Sequence, residues 1–469
     1  MLHVSKLLPK GLIHFTGIGG IGMSGIAEIL HNLGYQIQGS DVSANSNTTR
    51  LQNSGIKILI KHSAENVKDV ALLVKSTAIK EGNPELEYCK KNGIPIISRT
   101  EMLAELMRLK ACVAVSGTHG KTTTTSLIAS VFEKANQHPT VINGGIINTR
   151  GTNAYLGNGD FLIAEADESD ATFIKVPSTI AVITNIDPEH LDYYGTYDNL
   201  KEAFHSFISN LPFYGFGVLC IDHPEVRKLA EKINNRKIIT YGIDSKDADI
   251  QAVNIRQTPH GSSFDVKTSA KLRSISIENI KLNIPGIHNV QNCLAAIAIA
   301  LELKFDIQAI IDGLGEFEGV KRRFTLTGEV NGVRFIDDYA HHPQEIKATL
   351  ATAKQVVVNG GKIIAVFQPH RFTRLQNLFK EFIQCFDNSD VLYIADVYAS
   401  SEQPIEGIDK EHLAEAIKKA ARHKNVCLLN SPEELPSIVR ERCKPHDLMI
   451  FLGAGSITTW ANELPAKLV

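Results

Sequence analysis

Short apolar runs alternate along the chain with longer amphipathic stretches. Leu12 to Phe15, Cys112 to Val115, Phe161 to Ala164, Ile180 to Ile183 and Ile363 to Phe367 are of the first kind; the run through Ile26, Ile29 and Leu30 is of the second. A strand buried on both faces reads as a near-continuous apolar run, whereas a helix lying on a sheet shows apolar positions at helical spacing. The alternation predicts βα units covering a mostly parallel sheet, so the fold class is α/β. Three places read as fresh starts, each opening a strand: Gly11 to Phe15, Ala111 to Val115, and Val333 to Ile336 after the basic Lys321 to Arg323. They predict three domains, over 1–107, 108–321 and 322–469.

A length of 469 residues fits two or three domains, and 43% hydrophobic with 21% charged residues is globular composition. Forty-nine Lys and Arg against fifty-one Asp and Glu leave a net charge of -2. That is too even for holding nucleic acid by a general basic field, so an anionic ligand must be met by local groups. Cys89, Cys112, Cys220, Cys293, Cys385, Cys427 and Cys443 lie far apart with no C-x-x-C pair, which argues against a zinc knuckle or a disulfide framework and for a reducing cytoplasm. The most apolar stretch, Cys293 to Leu303, falls short of the roughly 20 residues that span a bilayer, and Met1 to Lys10 has no apolar signal-peptide region. The expectation is a cytoplasmic protein without membrane insertion.

Gly17-Ile18-Gly19-Gly20-Ile21-Gly22 is a G-x-G-x-x-G loop between a strand-like run and a helix-like one. Glycines let backbone approach a diphosphate, and a helix N-terminus offers free N–H groups with partial positive charge. Asp41, after the apolar Tyr35 to Ile37, stands where such a fold places an acid for a ribose hydroxyl. The motif alone does not separate NAD from a UDP-sugar. Ser116-Gly117-Thr118-His119-Gly120-Lys121-Thr122-Thr123 is a second phosphate loop, of the shorter G-x-x-G-K-T form because Val115 stands where the longer pattern wants glycine. Its backbone N–H groups can cradle phosphates, Lys121 can neutralise the transferring phosphoryl group, and the Thr122 hydroxyl can ligate Mg²⁺.

Two phosphate loops argue against a simple dehydrogenase, because hydride transfer needs no ATP. Glu165-Ala166-Asp167-Glu168-Ser169-Asp170 follows Phe161 to Ala164, so a strand's carboxyl end would present it to a metal. Thr184-Asn185-Ile186-Asp187-Pro188-Glu189-His190-Leu191-Asp192 ends the next apolar run in the same way.

With His288-Asn289-x-x-Asn292, Arg322-Arg323-Phe324, Asp337-Asp338-Tyr339-Ala340-His341-His342-Pro343 and Gln368-Pro369-His370-Arg371-Phe372-Thr373-Arg374, these ordered motifs cover essentially the whole length. The chain resembles the Mur ligase family, ATP-dependent amide-bond ligases of peptidoglycan precursor synthesis, and within it the branch that adds L-alanine to UDP-N-acetylmuramate. The resemblance implies a Rossmann-like N-terminal domain for the UDP end, a central P-loop domain for ATP, and a Rossmann-like C-terminal domain for the amino acid. It implies UDP-N-acetylmuramate, L-alanine and ATP as small-molecule substrates, with Mg²⁺ as the metal. Gly17, Gly19, Gly20, Gly22, Asp41, Ser76 and Thr77 would meet the UDP substrate. Gly117, Thr118, His119, Gly120, Lys121, Thr122, Thr123, Asn289, Asn292, Arg323 and Asp338 would bind ATP. Thr122, Glu165 and His190 would hold metal, and because imidazole suits Mn²⁺ better than Mg²⁺, His190 admits Mn²⁺ as an alternative. Tyr339, His341, Arg371 and Arg374 would receive the amino acid, the arginines after the strand-like Ile363 to Phe367 offering planar forks for its carboxylate.

The implied chemistry follows from the weakness of a carboxylate as an electrophile. Its oxygen attacks the γ-phosphate to give an acyl phosphate and ADP, and the amine then displaces phosphate. Positioning and electrostatic stabilisation dominate such a reaction, and Lys121, His190, Arg323 and His341 are its candidate catalytic groups. For His341 two readings stay open: a base for the incoming amine, or a group that orients Tyr339 or the amino acid.

Overall fold

The computed structural model describes residues 11–108, 110–169, 171–272, 274–420, 423 and 425–468. Met1 to Lys10, read above for the lack of a signal segment, and Asp170 of the acidic cluster lie outside the described residues. Among the described residues the strands form three sheets. No described helix is long and apolar enough to cross a membrane.

The first sheet contains β1 (Leu12–Thr16), β2 (Ile37–Asp41), β3 (Lys57–Ile60), β4 (Val70–Lys75) and β5 (Ile96–Ser98), all parallel, in the order β3-β2-β1-β4-β5. The strand order reverses between β1 and β4, and open α/β sheets bind ligands at such a switch point. The first glycine loop leaves β1 there and enters α1 (Ile21–Asn32). The next helices start where local chemistry predicts. Asn45 and Thr48 form a capping box on α2 (Ser46–Asn53), Asn83 and Pro84 open α3 (Pro84–Lys91), and Ser98 and Glu101 box α4 (Arg99–Met107).

The second sheet contains β6 (Ala111–Ser116), β7 (Thr140–Ile147), β8 (Thr152–Tyr155), β9 (Phe161–Glu165), β10 (Ile180–Ile183), β11 (Phe216–Cys220), β12 (Lys237–Gly242), β13 (Ile250–Thr258), β14 (Gly261–Thr268) and β15 (Ser276–Leu282). Their order is β15-β14-β13-β12-β11-β10-β6-β9-β7-β8. The phosphate loop leaves β6 into α5 (Lys121–Lys134). In register, Val115 of β6 faces Glu165 of β9 and Ser116 faces Ile183 of β10. That alignment brings the phosphate loop, the acidic run and the Thr184 motif together at the carboxyl ends of the neighbouring interior strands β10, β6 and β9.

The third sheet contains β16 (Thr325–Val330), β17 (Val333–Asp338), β18 (Ile363–Phe367), β19 (Val391–Ile394), β20 (Val426–Leu428) and β21 (Leu448–Leu452), ordered β16-β17-β21-β18-β19-β20. Its start corrects the expectation: β16, antiparallel to β17, precedes Val333. Asn331 and Gly332, at φ of 51° and 76°, turn the chain between them, and an Asn-Gly pair joining two strands is a readable hairpin signal. Asp338, Leu452 and Phe367 lie in one register row, as do Phe367 and Ile394, so the segments after β17, β21, β18 and β19 emerge together. Ala365 and Phe367 pack into one core and Ile364 and Val366 into another, which is why Ile363 to Phe367 is apolar at every position.

The chain divides into two compact units, Met1–Val253 with Asp265–Ile280 and Gln291–Phe317, and Asn254–Phe264 with Lys281–Val290 and Glu318–Val469. Within the first, one apolar core runs from Ile13, Ile26 and Leu30 to Ala114, Leu162 and Ile183. The Asn153 amide of β8 donates to the Ile21 carbonyl at 2.7 Å, which fixes the start of α1.

Candidate active site

The phosphate loop begins from two left-handed glycines. Gly117 has φ 130° and Gly120 has φ 81°; a Cβ at Gly117 would stand 2.1 Å from Thr184 Oγ1, and one at Gly120 2.7 Å from Asn292 Oδ1. Asn292 therefore borders the loop. The loop is tied to the segment after β10: Thr118 N–H donates to the Asn185 carbonyl (3.2 Å) and His119 N–H to Asn185 Oδ1 (2.7 Å). Thr184 Oγ1 donates to the His119 carbonyl at 2.6 Å. His119 Nε2 lies 3.4 Å from Asp187, whose other oxygen lies 3.4 Å from His223 Nε2. Gly120 is the N-cap of α5 and provides no side-chain cap. The first-turn amides of Lys121, Thr122 and Thr123 have no helical acceptor behind them, the arrangement that receives a phosphate.

Lys121 Nζ donates to the carbonyls of Gly117 (2.7 Å) and Thr118 (3.2 Å) and to Glu168 (3.0 Å). Burial alone would lower its pKa, but the charges of Glu168, Glu165 and Asp167 outweigh this and hold the ammonium well above its usual range. Burial pushes the Glu168 carboxyl up to about 7, with the Lys121 charge acting the other way. Thr122 Oγ1 donates to Glu165 at 2.9 Å, and Gly144 N–H donates to the same oxygen. Glu168, Glu189 and His190 each offer one ligand atom, all within 4.8 Å of one another. His190 takes a left-handed φ of 55° as the N-cap of a one-turn helix. A hydroxyl, carboxylates and one imidazole fit a hard divalent cation, and the acids outnumber the cations Lys121 and Arg99 beside them.

Around the first loop, Gly17 and Ile18 N–H both donate to the Ser40 carbonyl (2.8 and 3.0 Å), and Gly19 N–H donates to Asp41 at 2.8 Å. Asp41 also accepts from Val42 N–H. The Asp41 carboxylate thus closes the loop from below. Gly20, the N-cap of α1, provides no side-chain cap. Ser76 N–H donates to the Thr16 carbonyl, and Ser76 Cβ lies 3.0 Å from where a Gly17 Cβ would be; Thr77 follows it in the segment after β4. At Gly22 a Cβ would meet the Arg99 guanidinium at 2.7 Å, and Arg99 lies 3.4 Å from Asp167.

Behind this loop, fully buried Glu85 accepts from Thr16 Oγ1 (2.8 Å), Ser40 Oγ (2.7 Å), Asn66 (2.7 Å) and Ser63 N–H (3.3 Å), and pairs with buried His14 at 3.1 Å. Burial would raise its carboxyl, but the hydrogen bond and charge of His14, with Asn66 and Ser40, hold it at about 2.

In the second unit, Tyr339 is flanked by guanidinium groups, Arg322 at 4.6 Å and Arg323 at 5.2 Å from the ring centre. Arg323 also lies 3.8 Å from Glu345. Asp338 accepts from Phe324 N–H and Ala340 N–H, both at 2.8 Å, and burial pushes it up to about 6 against the lowering charge of Arg323. His341 Nδ1–H donates to the Tyr339 carbonyl at 2.9 Å and lies 3.5 Å from Glu345. Asn289 donates to the Pro285 carbonyl at 2.7 Å. The two arginines after β18 differ. Arg371 is paired to Glu402 at 2.5 Å, whereas Arg374 donates to His370 Nδ1 at 3.1 Å and to the His370 carbonyl.

Several groups at these sites escaped sequence reasoning. Arg99 carried a readable signal, a cation at the first position of a helix, where the dipole opposes it unless an anion shares the place. Glu168 and Glu189 lie within the Glu165 to Asp170 and Thr184 to Asp192 runs, but nothing in their spacing sets them apart as partners of Glu165 and His190. Glu402 and Tyr398 belong to no motif.

Models of Mur ligase domains match three successive stretches: the Mur ligase family catalytic domain over 12–111, the Mur ligase middle domain over 115–300, and the Mur ligase glutamate ligase domain over 322–455. A protein of Rickettsia bellii (strain OSU 85-389) named UDP-N-acetylmuramate–L-alanine ligase is 58% identical over 460 residues, covering 97% of this chain and 96% of its own. One of the same name from Rickettsia canadensis (strain McKiel) is 58% identical over 458 residues, covering 97% and 96%. The crystal structure of UDP-N-acetylmuramate-alanine ligase from Thermotoga maritima superposes with a TM-score of 0.82 at 30% identity, covering 97% of this chain and 99% of that one. With its phosphate loop, acid cluster and three sheets matched in order along nearly the whole length, the chain belongs to the Mur ligase family.

Proposed function

We propose that this protein is an ATP-dependent, ADP-forming ligase that joins L-alanine to the carboxylate of UDP-N-acetylmuramate in peptidoglycan precursor synthesis, in the cytoplasm. The observation that carries the reading is Lys121, held charged at the head of α5 among Glu165, Asp167 and Glu168 and next to the uncapped first turn of the helix. The names of its relatives supply the substrates. The domains are taken as 1–107 for the UDP end, 108–321 for ATP and 322–469 for the amino acid.

The first-turn amides of α5 and the Lys121 ammonium bind the terminal phosphates and draw charge from the γ-phosphoryl group as the muramoyl carboxylate attacks it. Thr122 and Glu165 would hold one divalent cation, and Glu168, Glu189 and His190 a second. Bound there, Mg²⁺ or Mn²⁺ supplies neutralisation of phosphate charge. The α1 N-terminus and Arg99 meet the diphosphate of the UDP substrate, while Asp41 and Ser40 keep the glycine loop in shape. Arg374, whose bonds go to a neutral imidazole and a carbonyl, grips the carboxylate of the amino acid; Arg371 and its partner Glu402 brace the turn. His341, whose Nδ1–H donates to the Tyr339 carbonyl, either takes a proton from the incoming amine or orients Tyr339 and the amino acid. Arg323 stabilises the transferring phosphoryl group.

The test is phosphate release with ATP, Mg²⁺, UDP-N-acetylmuramate and a panel of amino acids. Release is expected only when all four are present, with alanine preferred and serine and glycine weaker. Preference for D-glutamate, a diamino acid or a preformed tripeptide would reassign the substrate, and turnover of NADH without ATP would overturn the ligase class.

A further inference from the structure

The two glycine loops take different ligands in the ligase reading, yet a line of buried side chains runs from one to the other. Between Ile142, which faces Ala154, and Ile147, which faces Thr152, the register of β7 and β8 shifts, so that Asn143 to Ile146 stand opposite Asn153 alone. A bulge of this kind re-aims side chains and frees backbone groups from the ladder. Here the Asn143 carbonyl accepts from Asn153 Nδ2 at 3.3 Å, and the same amide donates to the Ile21 carbonyl, at the start of α1, at 2.7 Å. On the other side, Asn143 Nδ2 donates to Ser126 Oγ at 2.7 Å, and Ser126 Oγ donates to the Thr122 carbonyl in the first turn of α5 at 2.9 Å. Thr122, Ser126, Asn143 and Asn153 are all buried.

Asn153 is held on its remaining side as well. Arg50 of α2 donates to Asn153 Oδ1 (3.1 Å), Thr152 Oγ1 (2.9 Å) and Ser24 Oγ (3.4 Å) and pairs with Glu28, while Ser24 Oγ donates to the Ile21 carbonyl at 3.0 Å. An amide carries two donors and an acceptor on one plane, so Asn153 joins α1, α2 and β7 at once. A Cβ at Gly25 would stand 3.0 Å from Asn153 Nδ2 and 2.7 Å from Ala154 Cβ, so α1 lies directly on this amide. Packing alone does not account for the line. Asn143 Oδ1 is buried without a hydrogen bond among the described residues, a cost in stability that an apolar side chain would avoid. The next residue, Gly144, donates its N–H to Glu165, which also accepts from the Thr122 hydroxyl, so the same bulge reaches the metal-ligating acid.

We propose that Asn153, acting through Asn143 and Ser126, is a positioning residue that couples the two phosphate loops. Nucleotide bound at the head of α5 firms the start of α1 for the diphosphate of the UDP substrate, and the UDP substrate firms α5 in return. A buried and connected set of hydrogen bonds is stiff, so order imposed at one end lowers the cost of order at the other. Coupling of this kind is reciprocal: each ligand changes the affinity of the other by the same factor.

The inference rests on the ligase reading, and the experiment separates the two. Calorimetry on the full-length protein gives the Kd of UDP-N-acetylmuramate with and without Mg²⁺ and saturating β,γ-imido-ATP, and the Kd of that nucleotide with and without UDP-N-acetylmuramate. Wild type is expected to show one common factor, on the order of fivefold or more. Ser126→Ala cuts the line away from both ligands, so each ligand alone should bind within roughly twofold of wild type while the factor falls toward unity. Asn153→Ala should lose the factor and also bind UDP-N-acetylmuramate alone roughly tenfold more weakly, because α1 loses its anchor. If one variant does not fold, as judged by thermal melting, the other decides. A wild-type factor near unity overturns the proposal, as does a folded variant that keeps the wild-type factor, whatever happens to the affinity for each ligand alone. A wild-type protein that binds no UDP-N-acetylmuramate with or without nucleotide overturns the ligase reading instead.

Discussion

Two glycine loops, each leaving a parallel strand and entering a helix without a side-chain cap, differ in what surrounds them. In Gly17 to Gly22 the amides of Gly17, Ile18 and Gly19 are consumed by Ser40 and Asp41 of the neighbouring strand, and one guanidinium, Arg99, stands at the helix start. In Gly117 to Thr123 a lysine points back into the loop among Glu165, Asp167 and Glu168, and the Thr122 hydroxyl donates to the first of these acids. The first is a stiff socket with nearly balanced charge, suited to holding a diphosphate without changing it. The second concentrates movable charge and metal-ligating oxygen where a phosphoryl group can be passed on. A loop of glycines provides only close approach; the strand ends on either side decide whether the site binds or reacts.

Substituting the reactive side should have the largest effect. Lys121→Ala removes the cation aimed at the transferring group and is expected to lower phosphate release by roughly 100- to 1,000-fold. Near-normal turnover would make Lys121 a loop brace and erase the contrast.

The socket should respond through stability. Glu85 braces Thr16 and Ser40 behind the first loop, and its carboxyl is held at about 2 against an ordinary 4.5. A depressed acid contributes stability above its unfolded pKa and loses it as pH falls toward the folded one. The contribution, on the order of 3 kcal/mol, is therefore expected to be complete above about pH 4.5 and to vanish toward pH 2. Urea unfolding of wild type and Glu85→Gln should show a gap at pH 6 that narrows on acidification. A gap independent of pH would assign the network to packing alone.

A selective kinetic effect is expected at Gly19. A Cβ there would stand 2.5 Å from Asn45 Nδ2 and 2.8 Å from the Asp41 carboxylate. Gly19→Val should raise the KM for UDP-N-acetylmuramate by about tenfold or more with little change for ATP, an energetic cost comparable to overpacking a tight site. Equal loss for both substrates would mean that the first loop is not a socket for the UDP substrate alone.

The smallest effect concerns Arg99. Replacing it by alanine removes one charge-assisted contact to phosphate and also frees Asp167 beside Lys121. A several-fold increase in the KM for the UDP substrate, with kcat preserved, is the expected outcome. A fall in kcat alone would move Arg99 from the socket to the reacting side.

Much of this was legible along the chain. Ile363 to Phe367 reads as a strand because both of its faces are covered, and the loops read as phosphate sites because glycines and a following helix leave few other uses for such a pattern. The antiparallel β16 was hidden because its residues alternate weakly, although Asn331-Gly332 marked its turn. What the one-dimensional pattern determined is the succession of βα units, the glycine turns and the residue types able to meet phosphate, metal and carboxylate; these depend on local backbone sterics and apolar periodicity. Only the tertiary structure decided which members of each motif act together. Strand register set Glu165 beside Thr122, and strand-end segments brought Glu168 to Lys121, Arg99 to Gly22, Glu402 to Arg371 and Tyr398 to His370. Those pairings link residues far apart in sequence, and packing between strand ends follows from the closing of sheets and cores, which no local spacing records.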